Sequence, residues 1–194
     1  SSMLSYTEHD LVNTIIHELT HTTLFIKDNI DFNERLAVFV ANKGTELFYK
    51  NKEGEKSKTV ELINFENQDD KVFSEFITAE LNDLKDWYTK FDSSKYTNDL
   101  EKEKARQDRF EQIKISFKTK AAPKFKTKSY QSFATNPLNN AKLGTYHTYM
   151  KDLDIFEKVY QKNGSNIPQF LKKCAELKSA EDPEAELKKW ATAD

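Results

Sequence analysis

With 194 residues the chain has room for one domain with a proper core, and two would be cramped. Its 30 basic and 32 acidic side chains leave a formal charge of −2, which gives no global field for drawing in phosphate backbones or anionic membrane, so nucleic acid is not an expected partner. The single cysteine, Cys174, excludes an internal disulfide and any thiolate metal cluster made from this chain alone, and is expected to be a buried thiol.

No apolar run reaches the roughly 18 residues of a membrane helix, and the first residues carry no basic-then-apolar leader. Glycine and proline occur four times each, and no proline precedes Pro123, so the first 120 or so residues can run through long helices without a breaker. The expected class is mainly α, with 14 Phe and 8 Tyr supplying core volume.

Thr7 to Asp10 reads as a capping pair. From there Val12, Ile15, Ile16, Leu19, Thr23 and Ile26 recur at helical spacing as a core-facing stripe. A second helix is expected from Asp31 to Gly54, carrying Leu36, Val38, Phe39, Val40, Leu47 and Phe48. Residues 57–68 are read as a further short helix. Phe73, Phe76, Ile77, Leu81, Leu84, Trp87, Tyr88 and Phe91 form a third amphipathic pattern, and Leu100, Phe110, Ile113 and Phe117 a fourth. Ser93, Ser94 and Thr97 supply a turn and cap between them, so residues 66–120 should form a long antiparallel helical hairpin. Residues 121–137 lose periodicity around Pro123 and scattered Lys, Ser and Thr, and read as the one long loop, suited to covering a groove. Lysines interleaved with Phe125, Tyr130 and Phe133 could also suit single-stranded nucleic acid, a reading the near-neutral charge disfavours. Helices over 138–150, 152–162 and 167–178 follow, and a last one opens at Asp182-Pro183, an N-cap followed by proline at the first helical position.

The most informative residues lie in the first helix, where residues 17–21 read His17-Glu18-Leu19-Thr20-His21. At helical pitch the two histidines fall roughly 40° apart around the axis, so both imidazoles can reach one metal ion while Glu18 flanks it. They share a face with Thr14 and Leu24, off the centre of the apolar stripe, which places them on the wall of a cleft. A catalytic zinc site needs a third protein ligand and an open position for water. A third histidine at the metzincin spacing is ruled out, because Leu24 and Lys27 stand at the corresponding positions. Glu34, on the following helix, is the candidate ligand; its local alternative is a capping box, since Asp31-x-x-Glu34 has that spacing. Ala37, Ala41 and Gly44 share its face and would let two helices approach closely, which favours the ligand reading.

The series His17-Glu18-x-x-His21, Phe32-Asn33-Glu34-x-x-Ala37-x-Phe39-Val40 and Asn139-Asn140-Ala141-Lys142-Leu143 resembles a bacterial family of predicted zinc aminopeptidases, many described as lipoproteins. The resemblance spans nearly the whole chain. It implies a zincin-like fold of the glutamate-ligand (gluzincin) kind, with one zinc ion held by His17, His21 and Glu34, Glu18 as catalytic carboxylate, and a peptide as substrate. It also implies a cell-envelope or periplasmic location. Family members have a region before the zinc helix, so residues 1–194 are expected to be a single helical domain forming the C-terminal part of a longer metallopeptidase. Its expected parts are the zinc-site helices (1–54), the hairpin (66–120), the loop (121–137) and the C-terminal helices (138–194).

In that reading zinc activates a water, Glu18 accepts its proton, and a hydroxyl or imidazole from a distant segment steadies the oxyanion. Tyr149, which aligns with a family tyrosine, is the candidate, ahead of His147 and Tyr146; packing within a helix is the alternative for all three. His9 is expected to be a satisfied or exposed histidine. The competing function is a non-catalytic zinc-containing scaffold that engages a partner through the hairpin.

Overall fold

The computed structural model describes residues 7–193 and carries nine α-helices and no strand among them, the mainly α class expected. None of these helices is long and apolar enough to cross a membrane. The chain clusters into two compact units, Ser1–Asn67 with Asp152–Asp194, and Gln68–Lys151.

In the first unit, α1 (Glu8–Thr23) opens on the expected capping box: Thr7 Oγ1 accepts from the Asp10 N–H, and Asp10 accepts from the Thr7 N–H at 3.0 Å. α2 (Ile30–Glu53) ends at Gly54, whose φ of 87° is open to a residue without Cβ. The two helices pack through small side chains. Ala37 and Ala41 are fully buried, and a Cβ on Gly44 would stand 3.1 Å from Ile16 Cδ1 and Cγ2. The opposite side of α2 faces α7 (Leu153–Lys162) and α8 (Ile167–Ala175), with the Phe39 ring 6.1 Å from Phe156 and 5.3 Å from Phe170. α9 (Pro183–Thr192), capped by Asp182 as expected, is tied to α2 by an ion pair between Arg35 and Glu184. Cys174 is buried in α8.

The stripe expected on α1 is corrected. Ile15 is 49% and Leu19 56% exposed, and Thr23 is exposed too, whereas Thr20 is buried. α2 meets α1 at Ile16, against Gly44, and the buried side of α1 at Ile16 and Thr20 lies roughly 100° around the axis from Ile15 and Leu19. Hydrophobic periodicity detects that a helix has an apolar side; it does not say which neighbour covers it.

In the second unit, the C-terminal part of α3 (Lys58–Thr89) packs against α4 (Asp99–Ser116), and a short 3-10 turn at Ser93–Lys95 lies between them. The buried Glu80 carboxylate joins the two arms, accepting from Ser116 Oγ at 2.5 Å and Arg109 Nη2 at 3.4 Å. The helix expected over 57–68 is continuous with the first arm, because no glycine or proline interrupts residues 55–122. Residues 121–137 are not a free cover. After a 3-10 turn and before α5 (Gln131–Thr135), buried Asp69 accepts from the Lys126 and Thr127 N–H groups, each at 2.7 Å. The Tyr130 ring stacks on Phe73 at 4.1 Å and its hydroxyl donates to Asp70. A five-residue helix is too short to leave a periodic pattern, which is why this anchored segment reads as loop.

Candidate metal centre

His17 and His21 stand one turn apart on α1, and Glu34 faces them from the first turns of α2. His17 Nε2 lies 3.2 Å from His21 Nε2 and 3.2 Å from Glu34 Oε2, and His21 Nε2 lies 3.6 Å from Glu34 Oε1. One ligand atom from each residue falls within 4.8 Å of the others, and among the described residues no other group of three His, Cys, Asp or Glu does so. Metal–ligand bonds of about 2.0–2.1 Å in a tetrahedron set ligand atoms about 3.3 Å apart, so these separations match the edges of a zinc site. The donor set also fits chemically. Two imidazole nitrogens and a carboxylate turn lone pairs toward one point, an arrangement a cation makes favourable. With Nε2 of each ring facing that point, the ring proton belongs on Nδ1; His21 Nδ1 is buried with no hydrogen-bond partner among the described residues.

The local sequence explains how Glu34 comes to face the histidines. α1 stops at Leu24, whose extended backbone (φ −140°, ψ 118°) still donates to the Thr20 carbonyl. Buried Leu24 and Ile26 anchor the link, and Asp28 takes a left-handed turn at φ 62°. Asn33, 1% exposed, then folds back on Ile26: its Oδ1 accepts from the Ile26 N–H at 2.8 Å, and its Nδ2 donates to the Ile26 carbonyl at 2.7 Å. α2 starts at Ile30 with Asn29 as N-cap, so Asp31 lies inside the helix and the Asp31–Glu34 spacing does not act as a capping box here.

Glu18 is exposed, one residue from His17 and outside the three-residue cluster. Next to Glu34, the Arg35 guanidinium is buried between Glu184 and the Asp31 carbonyl. Burial pulls it below its ordinary pKa against the opposing charges of Asp152 and Asp31, and it remains a cation. Neither Asn33 nor Arg35 stands out in the sequence as part of the site. The Phe32-Asn33-Glu34 run held the only signal for Asn33, and the partner of Arg35 lies on the far end of the chain.

The remaining candidates are placed as follows. His9 is buried and satisfied, its ring nitrogens 3.0 Å from Thr7 Oγ1 and 3.1 Å from Glu66 Oε2. Tyr149 sits in the last turn of α6 (Asn140–Met150), in the second unit, and is 38% exposed. Tyr146, on the same helix, packs edge-on against Phe73, and burial raises its pKa; His147 is half-buried there. In the Asn139-Asn140 element, Asn139 caps α6 by accepting from the Lys142 N–H, and Asn140 accepts from the Tyr88 hydroxyl at 3.0 Å.

No curated protein and no solved structure matches the chain. A family model does: the one described as "Putative aminopeptidase" matches residues 1–189. With nearly all its length so matched, and with its paired histidines facing a glutamate across two helices, the chain belongs to that aminopeptidase family.

Proposed function

We propose that the chain is a zinc peptidase, an aminopeptidase by its family, which hydrolyses peptide bonds with His17, His21 and Glu34 as metal ligands and Glu18 as general base. The observation that carries this reading is the convergence of His17 Nε2, His21 Nε2 and the Glu34 carboxylate at separations suited to one tetrahedral ion. Zinc, when bound, supplies Lewis-acid polarisation and a water made acidic enough to yield a nucleophile near neutral pH.

The rest is the work of the protein. Glu18 follows His17 directly and lies roughly 100° from it around α1, so its carboxylate flanks the ligand face without joining it. Being exposed, it keeps oxygens available to take the proton of the attacking water and return it to the leaving amine. A site that only held a structural ion would have no use for such a base. A hydroxyl donor to the oxyanion is assigned to Tyr149 on the sequence motif alone. The cell-envelope location rests on the family resemblance in the same way.

Glu18→Gln in the protein tests the assignment, with zinc content and peptide hydrolysis measured side by side. The variant should keep its zinc and lose hydrolysis by about 100-fold or more. Hydrolysis at the parent rate would remove Glu18 from the role of base.

A further inference from the structure

We infer that Asn33 is the positioning residue of the metal centre: the carboxamide clamp on Ile26 fixes where Glu34 stands relative to His17 and His21. The inference rests on the zinc reading above and adds to it a residue that touches no metal. His21 and Glu34 are joined by a link that turns into α2 at Asn29, whose N–H donates to the Ile26 carbonyl at 3.3 Å and whose Nδ2 donates to the Lys27 carbonyl at 2.9 Å. Neither bond reaches into α2, to which the Asn29 side chain makes no capping hydrogen bond, and Asp28 is in the left-handed region. Against that background, the buried Asn33 side chain makes both an accepting and a donating bond to one residue, Ile26, at 2.8 and 2.7 Å. The pair of bonds resembles a single rung of a β-ladder, and it constrains both the rotation of α2 about its axis and its advance along it.

Glu34 is the next residue, so its direction follows from that of Asn33 through one fixed helical step of about 100° and 1.5 Å. A ligand set tolerates departures of only about 0.2 Å in its bond lengths, so a small rotation of α2 would take the carboxylate out of register with two imidazoles mounted on another helix. Only a carboxamide offers a donor and an acceptor side by side at this reach. Aspartate keeps the acceptor but turns a second oxygen toward the Ile26 carbonyl, and alanine leaves both Ile26 groups without this partner.

The test uses the full chain with zinc alone as probe, its affinity read by competition with a chromogenic chelator and its geometry by the visible spectrum of cobalt in place of zinc. Asn33→Asp and Asn33→Ala are compared with Leu187→Ala, which removes a buried side chain from α9 in the same unit and leaves both Asn33–Ile26 bonding partners in place. Asn33→Asp should bind zinc about 10-fold or more weakly and lose the tetrahedral cobalt bands, while its far-ultraviolet helical signal persists. Leu187→Ala should lower the melting temperature yet keep the parent affinity and spectrum. Parent-like affinity and spectrum in Asn33→Asp would overturn the inference, as would an equal loss in Leu187→Ala. Should Asn33→Ala fail to fold, Asn33→Asp decides; failure of both to fold would make Asn33 a folding residue and overturn the positioning role. Absence of zinc binding in the parent chain is a different result, one that removes the metal reading itself and this inference with it.

Discussion

Within one turn of α1 the surroundings divide the chemistry: His17 and His21 are half-buried against Glu34, whereas Glu18 between them is exposed. In the proposed centre half-burial would hold the rings still for coordination, and exposure would leave the Glu18 carboxylate free to exchange protons. Cys174 shows the opposite use of burial. With no exposed surface, its thiol is pushed up to about 12, chiefly by desolvation, so at neutral pH it stays protonated and unreactive. Iodoacetamide at pH 8 should therefore leave Cys174 unlabelled in the folded chain and label it fully in urea, read by intact mass; rapid labelling of the folded chain would contradict its burial. At this scale the convergence of His17, His21 and Glu34 could be read from the sequence, because it is carried by a short motif and a nearby helix. Asn33 and Arg35 could not, since each takes its meaning from a contact that spacing does not reveal: a turned link for Asn33, and α9 for Arg35.

The approach of α1 to α2 decides whether the two sides of the site can meet. α2 carries Gly44 in its interior although glycine there is about 1 kcal/mol less favourable than alanine, and the reason is the Ile16 side chain lying where a Cβ would press on it. Gly44→Val adds three carbons to that contact, against a β-branched side chain with few rotamers to retreat into. It should destabilise the fold by about 2 kcal/mol, seen as a lower urea midpoint at unchanged slope, and weaken zinc binding by moving the helices apart. An unchanged midpoint would show that Ile16 yields without strain. Ala37, Ala41 and Gly44 were legible as a close-packing face because small residues at helical spacing have few other uses. Ile15 and Leu19 were not legible as exposed, because their apolar character fits a core as well as it fits a surface. Residues 121–137 were misread for a different reason: their order comes from Asp69, Asp70 and an aromatic cluster contributed by α3, not from any pattern of their own.

At the level of the molecule, the proposed ligands all come from the first two helices, and the rest of the first unit serves to hold α2. Phe39 packs on Phe156 and Phe170, and Arg35 binds Glu184, so α2 is gripped by the C-terminal helices on one side while it presents Glu34 to α1 on the other. The second unit has its own core around Phe73, Phe117 and Phe133. The mainly α class and the helix starts at Thr7 and Asp182 were evident from capping residues, breakers and periodicity, whereas α2 and α4 are capped by Asn29 and Asn98 and not by Asp31 or by Ser93, Ser94 and Thr97. The grouping of the first and last segments into one unit was not evident, because it depends on contacts between residues more than a hundred positions apart. Equilibrium dialysis against zinc followed by elemental analysis tests the central claim most directly. The account predicts one zinc per chain, retained in Glu18→Gln and lost when His17 and His21 are both replaced by alanine; a parent chain without zinc, or a double variant that still holds one, would contradict it.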